Sequence, residues 1–206
     1  MLKPKKINFY KTPVNKKVII VFCLLITNII LLTLIDSLEF FFKLEYPEIN
    51  NKEAILNNLF FYSILVVIIA PFMEEILYRL PLKKTSYTYI SIFIGVIYIA
   101  IFDLNFVRIV LLLYIIGIVY LLYLKLNPSK YFILLSVFIF TISHIGNYDF
   151  QQIKLLNFLE LIFLFFPQLI FAIITTSIRI YFSFWYAVFY HILYNALIII
   201  SALIFA

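Results

Sequence analysis

Long apolar runs recur through this chain and restrict it to folds that lie in a lipid bilayer. Of its 206 residues, 66% are hydrophobic and only 13% are charged. Inside a bilayer every backbone polar group needs an internal partner, and a helix of about 20 apolar residues meets that need while crossing the hydrocarbon. The composition excludes a soluble domain. The net charge of +6 is explained by basic loops on one side of a membrane rather than by nucleic-acid binding.

The apolar runs predict an all-α, polytopic transmembrane helical bundle. The predicted spans are residues 18–35, 54–80, 87–102, 106–124, 131–145, 153–177 and 180–205. Seven spans become eight if the acidic and aromatic stretch 36–53 enters the bilayer. Because no repeat, linker or change of composition divides the sequence, residues 1–206 are expected to form a single integral membrane domain.

The distribution of basic residues predicts the orientation of the bundle. With a cytoplasmic N-terminus, most of the 16 lysine and arginine residues fall on the cytoplasmic side, as the positive-inside rule requires. The Ile- and Lys-rich composition is typical of a bacterial chain, so the expected location is a bacterial plasma membrane. The single cysteine, Cys23, rules out a disulfide within the chain.

Two adjacent carboxylates and an arginine interrupt the second apolar run. A charge at the centre of a membrane helix costs about 2.5–3.5 kcal/mol on insertion scales, so such groups face the bundle interior and find partners. Glu75 and Arg79 are spaced i,i+4 and can pair on one helix. Glu74 points about 100° away from Glu75 and has no local partner. The pattern predicts a supporting ion pair, Glu75 with Arg79, and a chemically active Glu74.

The only two histidines lie in two other apolar runs. His144 ends the sequence Phe-Thr-Ile-Ser-His in the fifth span, and His191 precedes Asn195 by one helical turn in the last span. Imidazole and carboxylate groups suit zinc, which takes three protein ligands and a water in catalytic sites. The same groups can activate water without a metal, with a glutamate as general base and His and Asn as oxyanion donors.

The ordered motifs resemble the CPBP family of intramembrane proteases, also called the CAAX prenyl endopeptidase and bacteriocin-processing (Abi) family. Glu-Glu-x-x-x-Arg, Phe-x-x-x-His and His-x-x-x-Asn occur in this order over roughly residues 56–200, and the first span, 18–35, lies outside the resemblance. This chain has Leu80 where the family often has Gly after the motif arginine. The segment between Glu75 and His144 is also longer than usual and contains an extra hydrophobic pair.

The resemblance implies an intramembrane peptidase that cleaves a membrane-associated peptide or a lipidated protein. It implies that Glu74 is the essential carboxylate, that His144 acts with it on water or metal, and that His191 and Asn195 bind metal or stabilise the oxyanion. Zinc, if bound, would be held by Glu74, His144 and His191. We favour the metal-free glutamate chemistry, because a zinc held by Glu74 would leave the general base to Glu75, which Arg79 is expected to occupy.

Two other functions remain open at the level of the sequence. The chain could be a catalytically silent scaffold or a bacteriocin-immunity protein that keeps the motifs for folding; turnover of a membrane peptide separates this reading from a peptidase. It could also be a small proton-coupled transporter in which Glu74, His144 and His191 relay protons. Internal symmetry with paired broken helices would indicate the transporter, and the sequence contains no such repeat.

Overall fold

The computed structural model describes residues 12–44, 58–83, 87–101, 106–126, 128–148 and 150–205, and within these ranges the chain is helical with no β-strand. The described helices are α1 (Val14–Phe42), α2 (Leu59–Ile64 continued to Leu82), α3 (Thr88–Ile101), α4 (Phe106–Tyr123), α5 (Lys130–Ser143), α6 (Phe150–Ile153), α7 (Phe158–Tyr181) and α8 (Phe184–Phe205). The all-α prediction is therefore confirmed.

Five helices in the described ranges are long and apolar enough to cross a membrane. They lie at Val14–Phe42, Phe60–Leu82, Lys130–Asn147, Phe158–Tyr181 and Phe184–Ser201, and two shorter apolar helices, Thr88–Ile101 and Val107–Tyr123, complete the set. Large apolar side chains are exposed along most of these helices. Since lipid rather than water suits such a surface, the architecture is that of an integral membrane bundle.

Several predicted boundaries are wrong, and local backbone chemistry explains the shifts. The first helix continues through the acidic segment to Phe42, where Lys43 adopts a left-handed cap with φ 52°. The predicted sixth span starts too early, because Asn157 and Glu160 form a reciprocal capping box that begins α7 at Phe158. Residues 45–53 of the stretch predicted as a potential eighth span lie outside the described residues.

The second helix is irregular, and two prolines account for the irregularity. Its backbone widens into a π-helical turn at Leu65–Ile69 and again at Glu75–Arg79. Pro71 and Pro81 each follow one of these turns by two residues. A proline inside a helix donates no N–H, and its ring clashes with the carbonyl four residues earlier. Widening the preceding turn relieves that clash, so each proline is matched by a π-turn.

The C-terminal end of α2 is buried, and side chains from four other helices cap its carbonyl groups. The last carbonyls of a helix have no partner within the helix. Ser91 of α3 donates to Leu77 O at 3.0 Å. Tyr78 O accepts from Tyr114 of α4 at 2.9 Å and from Ser136 of α5 at 2.7 Å. The guanidinium of Arg179, in α7, donates to Arg79 O at 3.0 Å and to Leu80 O at 3.2 Å. These bonds fix the end of α2 at the centre of the bundle.

An aromatic core surrounds this buried end. Phe140 of α5 contacts Tyr78 edge-on with ring centroids 5.4 Å apart and stacks on Phe171 of α7 at 5.9 Å. Phe171 in turn packs on Tyr190 and Tyr194 of α8 at 5.8 and 4.5 Å. The rings link α2, α5, α7 and α8, which are the helices that carry the polar motifs or pack directly on them.

Candidate functional site

The structure brings the predicted site residues of three helices together. Oε2 of Glu74, on α2, lies 3.9 Å from Nε2 of His144 and 3.7 Å from Nε2 of His191. His144 directly follows α5, at the start of a 3₁₀ turn over His144–Asn147. His191 lies on α8. Two imidazoles that lie 70 and 117 positions after Glu74 in the sequence therefore converge on one of its carboxylate oxygens.

The two adjacent glutamates have different surroundings. The side chain of Glu74 is 28% exposed, whereas that of Glu75 is fully buried. Oε1 of Glu75 lies 3.4 Å from Nη1 of Arg79 and 3.0 Å from Nδ1 of His191. The predicted contact between Glu75 and Arg79 is present, and His191 is a second partner that the helical spacing did not reveal.

The imidazole of His191 lies between the two carboxylates, each of which faces one of its nitrogens. Its Nδ1 donates to Glu75 at 3.0 Å, and its Nε2 faces Glu74. The ring is nearly buried and packs on Phe171 with centroids 4.6 Å apart. This combination leaves the ring little freedom to turn, so Nε2 is held toward Glu74.

The tautomer of His144 follows from its backbone contact. Its Nδ1 lies 2.9 Å from the carbonyl oxygen of Phe140, and a carbonyl can only accept, so Nδ1 carries the hydrogen. In the neutral ring Nε2 then holds a lone pair directed at Glu74. The Phe-x-x-x-His motif thus has a physical basis, because the phenylalanine supplies both the carbonyl and a ring 4.4 Å from the imidazole.

Arg79 is fully buried and has three kinds of partner. Besides Glu75, its Nη2 donates to Oγ1 of Thr175 on α7 at 3.0 Å. Its guanidinium carbon lies 3.6 Å from the ring centroid of Phe140. A flat guanidinium suits such a stacked position better than an ammonium does. Arg79 therefore joins α2 to α5 and α7 and balances the charge of Glu75.

Asn195 lies one turn beyond His191, and its side chain bonds to the backbone of α2 rather than to the site histidines or glutamates. Its Nδ2 donates to the backbone carbonyl of Val66 at 2.8 Å. Nδ2 carries a second hydrogen, so the oxyanion role implied by the family resemblance stays a prediction. The structure places Asn195 at the first π-turn of α2.

Sequence reasoning missed the residues that support the motifs from outside. The predicted spans, 153–177 and 180–205, leave Arg179 in the loop between them, but it lies in the last turn of α7 and is only 6% exposed. Thr175, one turn earlier, is fully buried against Arg79. The signal was present, since polar residues four apart in an apolar helix share one face, and that face could have been assigned to the interior.

The donor atoms are of the kinds that hold zinc, although their present spacing is not that of a bound ion. Within the described residues, no three His, Cys, Asp or Glu side chains are grouped closely enough to hold a metal. The donor set of one carboxylate and two imidazoles nevertheless matches a catalytic zinc. The bonds from the Nδ1 atoms to Glu75 and to Phe140 O are also the outer contacts that metal-bound histidines make. The residues therefore fit zinc by type.

Comparisons with protein-family models, with curated proteins and with solved structures found no match to this chain. The resemblance to the CPBP family accordingly rests on the three motifs, and the function is argued below from the geometry of the site.

Proposed function

We propose that this protein is an intramembrane endopeptidase that hydrolyses a peptide bond in a membrane-associated peptide or a lipidated protein. The observation that carries the proposal is the carboxylate of Glu74, whose side chain is 28% exposed and whose buried Oε2 faces Nε2 of His144 and of His191. A base must reach a water molecule, and Glu74 is the accessible member of the carboxylate pair. The neighbouring Glu75 is closed off by Arg79 and His191.

In the proposed reaction Glu74 and His144 activate a water molecule. Glu74 removes one proton, while the Nε2 lone pair of His144 accepts the other O–H and orients the water. The water oxygen forms a bond to the peptide carbonyl carbon, and the carbonyl π electrons move to the oxygen. Collapse of this intermediate breaks the C–N bond, and Glu74 returns its proton to the leaving amine.

His191 is the proposed oxyanion donor. In its doubly protonated form it donates from Nδ1 to Glu75 and from Nε2 to the oxyanion. Two carboxylates are then matched by the imidazolium and by Arg79, so the cluster carries no net charge, which a low-dielectric interior favours. Losing one such donor costs about 10²–10³ in turnover.

A zinc-dependent version uses the same residues. Glu74, His144 and His191 would hold the ion, which would supply Lewis-acid activation of water. Metal content and chelation separate the two versions. The metal-free reaction, which we favour on the charge balance above, predicts unchanged cleavage after extensive chelation. Stoichiometric zinc, whose removal abolishes cleavage and whose return restores it, would establish the zinc version instead.

We also propose that α3 and α4 cross the bilayer with the five longer helices. This gives seven spans, with the N-terminus in the cytoplasm of a bacterial cell. The two helices are apolar and pack on each other closely at Gly95, where an added Cβ would collide with Ile115. The family-like core is proposed to be residues 56–200, and α1 an additional span packed on α7 and α8.

The proposal is tested by cleavage of synthetic membrane peptides, both prenylated and leader-type, by the protein purified into proteoliposomes. Glu74→Gln should lower turnover by about 10²–10⁴, as loss of general-base catalysis does, with the fold retained. Asp36→Asn is the matched control, since it also replaces a carboxylate by an amide, on the exposed face of α1, and should cleave normally. Near-normal turnover by Glu74→Gln would refute the assignment. Absence of cleavage by the wild-type protein would instead favour the silent scaffold.

A further inference from the structure

Asn195 bonds to a backbone carbonyl of α2, that of Val66, and not to a group of the proposed reaction. We infer that Asn195 is a positioning residue, which holds α2 at the break made by Pro71 and so sets Glu74 against His191. The hydrogen bond itself is independent of what the protein does. The kinetic part of the inference rests on the proposed peptidase function.

Hydrogen-bond accounting shows why Val66 needs an outside donor. In a regular α-helix its carbonyl would accept from the N–H of Ala70, but in the first π-turn that N–H bonds to Leu65 O. A continued π-turn would pair Val66 O with residue 71, which is a proline and has no N–H. Neither helical donor is available, and in a bilayer a backbone group without a partner is costly. Nδ2 of Asn195 donates to the carbonyl of Val66 at 2.8 Å and so replaces the missing helical donor.

A related arrangement, different by one residue in register, occurs at the second proline of α2: Val66 is five residues before Pro71, whereas the carbonyl that receives a side-chain donor here is four residues before Pro81. The N–H of Leu80 bonds to Glu75 O across the second π-turn, and Pro81 supplies no N–H. The carbonyl of Leu77, four residues before Pro81, accepts from Ser91 of α3 at 3.0 Å. A side chain from a neighbouring helix therefore serves each proline break. Ser91 lies outside the proposed reaction, so it provides an internal comparison for Asn195.

The position of Asn195 on α8 connects this break to the site. Asn195 and His191 are one turn apart and lie on one face of α8. Through them α8 contacts α2 at two levels, at Val66 and at the Glu74–Glu75 pair. These two polar contacts, together with the stacking of Trp185 on Phe72, fix the angle and the relative depth of the two helices, and the bond to Val66 does so on the N-terminal side of Pro71. Releasing the contact at Val66 should therefore move Glu74 relative to Nε2 of His191.

Restoring a backbone donor at position 71 tests the inference, because Pro71→Ala lets the helix satisfy Val66 itself. Four proteins are compared: wild type, Asn195→Ala, Pro71→Ala and the double variant. Thermal unfolding in detergent gives stability, and cleavage of the synthetic membrane peptides gives kcat and KM per folded molecule. Asn195→Ala should lower the unfolding temperature by roughly 5 °C, because the carbonyl of Val66 then has no donor in surroundings without water. It should also lower kcat more than tenfold with little change in KM.

In the Pro71→Ala background, Asn195→Ala should lower the unfolding temperature by less than half as much as it does in the wild-type background. The kcat of the double variant should be at least tenfold higher than that of Asn195→Ala alone. Ser91→Ala combined with Pro71→Ala is the control for general stabilisation, and the changes in unfolding temperature of the two substitutions should add. Ser91→Ala combined with Pro81→Ala should instead show coupling, because Pro81→Ala restores the backbone donor for Leu77. If Asn195→Ala alone does not fold, recovery of a folded double variant supports the inference, and failure of both overturns it.

The results separate this inference from the proposed function. Equal losses for Asn195→Ala in both backgrounds, in stability and in kcat, would overturn the positioning role, and a loss of kcat alone would indicate an oxyanion donor. If the two substitutions couple in unfolding temperature but no protein cleaves the peptides, the positioning role of Asn195 on α2 would stand and the peptidase function would be rejected.

Discussion

Removing the charge of Glu75 tests whether the buried ion cluster, rather than the apolar core alone, determines stability near the site. Glu75→Gln keeps the size of the side chain and retains an oxygen that can accept from His191. It leaves the guanidinium of Arg79 without its counterion in a position where both side chains are fully buried. The variant therefore removes the negative charge that balances Arg79 and changes the size and hydrogen bonding of the side chain little.

The magnitude follows from the contacts. Removing one partner of a buried ion pair costs about 3–5 kcal/mol, because the remaining charge is not compensated. The ring of Phe140, 3.6 Å from the guanidinium carbon, offsets part of this, since a desolvated cation–π contact contributes about 2 kcal/mol. The bond to Thr175 also remains. We therefore expect Glu75→Gln to lower the free energy of unfolding by about 1–3 kcal/mol.

The assay is equilibrium unfolding in mixed micelles by increasing SDS. Trp185 is the only tryptophan, and it stacks on Phe72 with centroids 6.2 Å apart, so its fluorescence reports the separation of α8 from α2. Circular dichroism reports loss of helix. The double variant Glu75→Gln/Arg79→Met removes both charges and should regain at least half of the lost free energy, since an uncharged pair needs no counterion.

A free energy of unfolding for Glu75→Gln within about 0.5 kcal/mol of wild type, which is the range of ordinary surface substitutions, would refute the reasoning. Strict additivity of the two single variants would do the same, because residues in one ion pair should couple. Asp36→Asn provides the baseline for exchanging a carboxylate for an amide at an exposed position.

Two further predictions concern packing away from the polar cluster. Asn28 of α1 donates to the hydroxyl of Tyr190 at 2.8 Å in a buried contact, so Tyr190→Phe should lower the free energy of unfolding by about 1–3 kcal/mol. Asn28→Leu in that background should restore most of the loss, and no restoration in SDS unfolding would show that the bond does not dock α1. Gly95→Ala should lower the free energy of unfolding by about 1–3 kcal/mol, because the added methyl overpacks the α3–α4 contact against Cδ1 of Ile115. Ile115→Val lacks that atom and should restore the stability, and equal losses in both backgrounds would count against this contact.

The sequence was informative where chemistry is local. The spacing of Glu75 and Arg79 predicts their contact, and apolar length predicts the long helices to within several residues. Burial of Arg179 was predictable only in part, since its spacing from Thr175 indicates one polar helix face but not what that face contacts. A basic residue at the end of an apolar run, followed by aromatic residues, is equally compatible with a loop at the membrane surface. Only the neighbouring carbonyls of Arg79 and Leu80, 100 and 99 positions away, make its interior position favourable.

The meeting of the polar residues was harder to predict, because helix geometry was assumed to be regular. Counting about 1.5 Å per residue along straight helices separates Glu74 from His144 by roughly 8 Å in depth. In the structure α5 ends at Ser143, and α2 contains two widened turns. Prolines at 71 and 81 signal a break in the helix, but a kink, a bulge and a helix end are all compatible with that signal. The contact of Asn195 with Val66 depends on which of them occurs.

The capping of α2 has a consequence for the order in which the protein is made. Val66, Arg79 and Leu80 receive their donors from Asn195 and Arg179, which leave the ribosome about 100 residues or more after α2 enters the membrane. Until α7 and α8 arrive, α2 holds unpaired carbonyls that lipid cannot satisfy. A nascent chain interrupted before residue 157 would therefore keep α2 next to water or the insertion machinery. Completion of the last two helices, rather than insertion of the second, commits the motif helix to the bilayer.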